Sequence, residues 1–120
     1  MTHVFRIQDL DGRGPFKPGY TETWLIDRPE LDDLKPFSVL EIYGLYSKNM
    51  FSGARFIGFG CRSIEQLKKW FIEEEYKTLL KRGYSAVEML IDDVLLENEN
   101  QVLFARQRPL NKALKKFELY

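Results

Sequence analysis

Ser63 and Gln66 stand three residues apart at the head of an apolar series, Ile64, Leu67, Trp70 and Phe71, that recurs at helical spacing. This is a capping-box pattern: the serine hydroxyl accepts from the Gln66 amide, and the glutamine side chain reaches back over the helix start. Ile72, Tyr76, Leu79 and Leu80 continue the apolar face, and Gly83 after Lys81-Arg82 supplies the stop. Glu73-Glu74-Glu75 suits the first turn of a second helix, so the block reads as one bent helix or as two short ones. In both cases its apolar face needs a partner layer.

Strands on either side of the block supply one. Val4 to Gln8 alternates, with Phe5 and Ile7 on one face and Val4, Arg6 and Gln8 on the other, as a half-buried strand does. Arg55 to Phe59, Tyr84 to Ile91 and Gln101 to Gln107 also read as strands, the third ending at Asp92-Asp93 and the last stopped by Pro109. Leu110, Leu114 and Phe117 fall at helical spacing and predict a short docked terminal helix. Asp9 to Gly19 is dense in Gly, Pro and Asp and reads as a loop. Trp24 to Ile26 reads as a short strand or an anchoring turn, and Pro29 to Leu34 as one helical turn. The expected architecture is a single α+β domain over residues 1–120, a small and mostly antiparallel sheet packed against the central helical segment.

Composition narrows the function classes. A chain of 120 residues with 44% apolar side chains can offset the ordering entropy of one packed core. Basic and acidic residues balance at 18 each, without the basic excess of a nucleic-acid binder. The local lysines Lys112, Lys115 and Lys116 read as a solvated helix face. One cysteine and one histidine make neither an internal disulfide nor a four-ligand zinc site, so no metal is expected. MTHVFRIQD lacks a signal-peptide pattern, and no apolar run reaches membrane-spanning length, so the expected compartment is cytoplasmic.

Several segments invite chemistry. Asp9-Leu10-Asp11-Gly12 resembles the start of a calcium loop, but the twelfth position holds Tyr20 where a bidentate glutamate is needed, so it reads as a polar turn. Gly12-Arg13-Gly14 with Lys17 nearby could cradle a phosphate through backbone amides, yet it matches neither a P-loop nor G-x-G-x-x-G. Arg13 is a contact residue in either reading. His3 has no serine or cysteine partner in sequence, and Cys61, just before a helix start, reads as a small apolar side chain. Glu97-Asn98-Glu99-Asn100-Gln101 places two carboxylates two residues apart, a pattern that serves acid-base work when their environments differ and otherwise a polar loop between strands.

The segments VFRIQDLDGRGPFKPG, FGCRSIEQLKKWF and QVLFARQRPL resemble small proteins of phage and prophage origin, over most of the chain. That resemblance implies an accessory role in a virus or mobile element. A second, local resemblance is to ADP-ribosyltransferases. It implies NAD as cofactor, with Arg6 holding the pyrophosphate, Ser63 shaping the nicotinamide pocket and a glutamate stabilising the oxocarbenium-like centre. Aligned by Val102-Leu103, the acidic pair becomes Glu99 and Gln101; Glu97 and Glu99 restore both carboxylates but lie two residues early.

The function expected from these observations is non-catalytic binding to a host or viral protein, with no cofactor, no membrane, and a monomer or small homo-oligomer. Arg13, Lys17 and Trp24 are the candidate contacts, since the aromatics between Trp24 and Phe59, with arginine, are residue types that interface hot spots favour. The alternative is an NAD-dependent transferase.

Overall fold

The computed structural model describes residues 1–34, 56–91, 93–106, 113 and 115–120. In chain order the strands and helices are β1 (Thr2–Gln8), β2 (Phe56–Gly60), α1 (Ile64–Trp70), α2 (Glu73–Lys81), β3 (Ser85–Ile91), β4 (Asp93–Glu97), β5 (Val102–Arg106) and β6 (Lys115–Phe117). Short 3-10 turns at Thr21–Thr23 and Pro29–Asp33 lie in the connection after β1.

The strands sort into two antiparallel sheets of three, β1-β3-β6 and β2-β5-β4. Val4 faces Met89 and Arg6 faces Val87 across the first sheet. The even-numbered residues of β1 therefore share a face with the odd-numbered residues of β3. Val4, Val87 and Met89 on that face pack against Val102 and Phe104 of the second sheet. The opposite face, through Ile7 and Ala86, packs against Leu67, Phe71, Tyr76 and Leu79 of the helical block. Helices lie on one side of the first sheet and the second sheet on the other, an α+β arrangement.

β1 is thus buried on both faces, where the alternation predicted a half-buried strand. Arg6 and Gln8, on the supposedly wet side, are 4% and 3% exposed because the second sheet covers them. Two further expectations are corrected. Of the predicted terminal helix, Leu110 and Leu114 lie outside the described residues, and Lys115–Phe117 is instead the strand β6, which pairs with β3 through Phe117 and Ala86. A strand there satisfies the free edge of β3, which a helix could not. β4 was unforeseen: Asp93 to Glu97 alternates too weakly to declare itself, and a register shift between Val94 and Leu96 breaks the pattern further.

The helical block is two short helices. Ser63 caps α1, its Oγ accepting from the Gln66 amide at 3.1 Å, while Gln66 Oε1 accepts from the Arg62 amide at 2.7 Å. Phe71 and Ile72 are extended and separate the helices. The joint is held by Glu75, whose side chain is fully buried. Its Oε1 accepts from the Ile72 amide at 3.0 Å; its Oε2 accepts from the Ile26 amide at 2.8 Å and from Arg28 Nη1 at 2.7 Å. Arg28 in turn donates to the Trp70 carbonyl at 3.2 Å. One carboxylate therefore fixes the entry of α2 and ties the Trp24–Arg28 segment across it.

Breaking that pair strands a guanidinium that is itself mostly buried. Glu75→Ala is expected to destabilise the fold by about 3–5 kcal/mol, read from urea denaturation at neutral pH. A loss within experimental error would show that the joint is held by apolar packing alone.

Candidate functional site

The backbones of β1 and the β2 segment are bridged at one residue pair, just past the end of β2. Phe5 and Cys61 exchange both backbone hydrogen bonds at 2.8 Å, and beyond them the strands diverge. Gly60 permits the approach, because a Cβ there would overlap the Val4 Cγ1 methyl. Where the strands separate, a pocket of about 420 Å³ opens. Its walls are Ile7 of β1, the whole of β2, the Gly14–Phe16 stretch of the first loop, and Leu67, Trp70 and Phe71 of the helical block. That volume lies in the range of small-ligand sites.

The loop that forms one wall is built by Asp9. Its Oδ1 accepts from the Asp11 and Arg13 amides, both at 2.9 Å, and Gly12 takes a positive φ of 86°. The segment that resembled a calcium loop is thus an Asx-type turn that spends its first carboxylate on its own backbone. Behind the loop, Phe16 meets Trp24 edge-on at 5.1 Å and Trp24 stacks on Phe71 at 5.6 Å. Phe16 and Phe59 stand at the pocket's mouth, about half exposed.

Arg6 borders this pocket, with its guanidinium between two glycines. A Cβ on Gly14 would stand 3.2 Å from Nη2, and one on Gly58 would overlap Nη1. Arg6 Nε and Nη1 are buried and have no hydrogen-bond partner. The guanidinium lies 5.5 Å from the centroid of Phe104 and 6.0 Å from that of Phe56, so aromatic faces give part of what a carboxylate would. Burial, and secondarily the charge of Arg106, press its pKa down to about 9. It therefore still carries its charge at neutral pH.

Arg106 and Arg13 complete a basic cluster around Phe56, at 5.5 and 5.9 Å from its centroid. Arg106 is anchored through Nη2 to Gln8 Oε1 at 3.2 Å and to the Gly12 carbonyl at 2.7 Å, and burial lowers its pKa to about 10. Among the described residues, none of the three arginines lies in an ion pair with a carboxylate.

The remaining sequence candidates are dispersed. Gln101 lines the pocket with Arg6. Ser63 is spent as the α1 cap, and Glu97 forms a two-pronged pair with Arg62, Oε2 to Nε at 2.9 Å and Oε1 to Nη2 at 2.6 Å. Glu99 is exposed, and its carbonyl accepts from Gln66 Nε2. Asn98 Oδ1 accepts from the Asn100 and Gln101 amides, making this stretch the β4–β5 turn. Arg13 is exposed, 5.9 Å from the centroid of Phe56, a residue of the pocket wall. Lys17 is committed to Tyr84, donating to its hydroxyl at 3.1 Å, and Trp24 is 4% exposed, supporting the wall from behind. Phe37, Tyr43, Tyr46 and Phe51, the other aromatics of the surplus, lie outside the described residues. Sequence reading placed Arg6 at a site but missed Phe16, Phe56, Phe59 and Trp70, whose shared wall no linear pattern displays. His3 is exposed, with Nδ1 3.8 Å from Glu88 Oε2.

Fold and site together define a small α+β protein with an aromatic-walled pocket over a buried, unpaired cation. Residues 1–118 match the family model of the Bacteriophage T4 Y00F protein, and the chain belongs to that phage protein family. The match bears out the phage resemblance and gives no support to the transferase one. Among curated proteins and solved structures, none matches. No helix of the described residues is long and apolar enough to cross a membrane.

Two outcomes test this geometry. Arg6→Met removes a desolvated charge and keeps an unbranched stem, so it should raise stability by about 1–3 kcal/mol in thermal or urea unfolding. A destabilised variant would mean that the guanidinium has partners in solution. Burial pushes the Cys61 thiol up to about 12, so native protein should resist Ellman's reagent at pH 8 and react fully only in denaturant. Rapid labelling of the folded chain would contradict the closed contact between β1 and β2.

Proposed function

We propose that this phage protein acts by non-catalytic binding to a host or viral protein, and that the pocket beside Arg6 receives an anionic group of that partner. One observation carries the reading: a guanidinium 4% exposed, with Nε and Nη1 unsatisfied, at the border of an otherwise apolar pocket. A buried charge without a counter-ion costs stability, and a bound anion offsets that cost. The half-exposed rings of Phe16 and Phe59 add apolar area at the mouth, and exposed Arg13 lies beside it, which suits an anchor of mixed character.

The transferase alternative draws less support. The described lining of the pocket holds Arg6 and Gln101 but no carboxylate, and Glu97 is engaged with Arg62. An NAD glycosidic centre would lack the charge that the resemblance assigned to a glutamate.

Affinity capture from infected and uninfected host lysates, with wild type and Arg6→Met in parallel, tests the proposal. The expected result is a partner retained by wild type and reduced at least tenfold with the folded variant. Equal recovery with both proteins would remove the pocket from the binding surface. A thermal shift with millimolar NAD that survives Arg6→Met would count against both readings of Arg6.

A further inference from the structure

We infer that the anion this pocket prefers is a phosphate monoester carried on a planar ring, a chemistry common to nucleoside monophosphates and to a phosphotyrosine side chain. The inference rests on the binding role proposed above and adds the class of ligand.

Charge is the first argument. Arg6, Arg13 and Arg106 surround the Phe56 ring at 6.0, 5.9 and 5.5 Å; Arg6 lines the pocket, and the other two add positive field from outside its lining. The carboxylate whose field reaches Arg6 is Asp9. That group is already occupied: Oδ1 holds two backbone amides and Oδ2 lies 4.0 Å from Lys17 Nζ. A single carboxylate would leave the cluster with excess charge. A phosphate monoester brings nearly two negative charges at neutral pH and three terminal oxygens that match guanidinium forks.

Shape is the second. Phe16 and Phe59 at the mouth and Trp70 within present aromatic surface, and about 420 Å³ admits a ring with a short linker to the phosphate. Gly14 and Gly58 carry no side chain on either side of the Arg6 guanidinium, which leaves glycine backbone and the Phe56 and Phe104 rings as its neighbours. Phosphate alone would leave the aromatic wall unused, and an uncharged aromatic would leave Arg6 unsatisfied.

The test uses the full chain and defined probes. Binding of phenyl phosphate, phenylacetate and inorganic phosphate is measured by calorimetry and by NMR of the Trp70 indole at pH 7.5. Phenyl phosphate is expected to bind at least tenfold more tightly than either of the others, and its advantage over phenylacetate should shrink toward pH 5 as the ester dianion takes up one proton and becomes a monoanion. Arg6→Met should abolish the binding. Competition with adenosine monophosphate and with a phosphotyrosine peptide separates the two sources: displacement by the peptide supports the inference together with the protein partner, displacement by the nucleotide alone supports the ligand class but removes the protein partner, and displacement by neither overturns the inference. If phenylacetate binds as tightly as the ester, the phosphate assignment falls while the anion-binding role stands. Equal binding of inorganic phosphate removes the ring. If no probe shifts the indole at 10 mM in folded protein, the ligand class and the pocket's binding role fall together.

Discussion

The two backbone hydrogen bonds between Phe5 and Cys61 are the constraint on which this molecule turns. They join two sheets that otherwise pack face to face, and they do so at one residue pair. Had β1 and β2 continued to pair, the six strands would have run on as one sheet with a closed surface. Instead β2 parts from β1 as it runs back from Cys61 toward Phe56, and the first loop and the helical block border the wedge between them. Glycine at 60 makes the contact possible, and glycine at 58 leaves room for Arg6 where the strands have begun to separate. The pocket follows from where pairing stops.

That geometry also explains why the pocket has a cationic border and apolar walls. Strand alternation sends Arg6 to the same face as Val4, toward Phe104 of the second sheet. A residue of ordinary core character there would have filled the gap and strengthened the sandwich. Arginine keeps its donors beside the cavity and is stabilised only by ring faces, which return less than a carboxylate would. The fold accepts that deficit elsewhere, through Glu75 and Arg28 at the helix joint and the stacked Trp24 and Phe71.

Much of the frame was legible in the linear chain because it rests on local rules. The Ser63 cap, the stop at Gly83, the turn from Asp9 and the strands around residues 4–8, 84–91 and 101–107 each depend on neighbours a few positions away. What escaped reading depends on partners far along the chain. Val4 to Gln8 alternates as a half-exposed strand should, and only the arrival of the second sheet turns Arg6 inward. Phe117, the last member of a helically spaced apolar set, lies instead in a strand on the open edge of β3. Glu75 read as one of three carboxylates in a helix's first turn, yet its acceptors meet Ile26 and Arg28, almost fifty positions away. The pocket wall is the extreme case, since Phe16, Phe59 and Trp70 share no local pattern at all.

Two buried charges in one small chain are treated very differently by the fold. Glu75, fully buried, has every strong partner it needs: two backbone amides and a guanidinium. Arg6, nearly as deep, has unsatisfied donors although the same chain carries as many acidic residues as basic ones. A fold that completes one charge so fully and leaves the other open is not short of carboxylates. Nor does the open group suit bond-making chemistry, because a guanidinium protonated at neutral pH is neither base nor nucleophile. What it offers is positive charge and directed donors behind an aromatic mouth. Those are the properties on which the proposed anion-binding role rests.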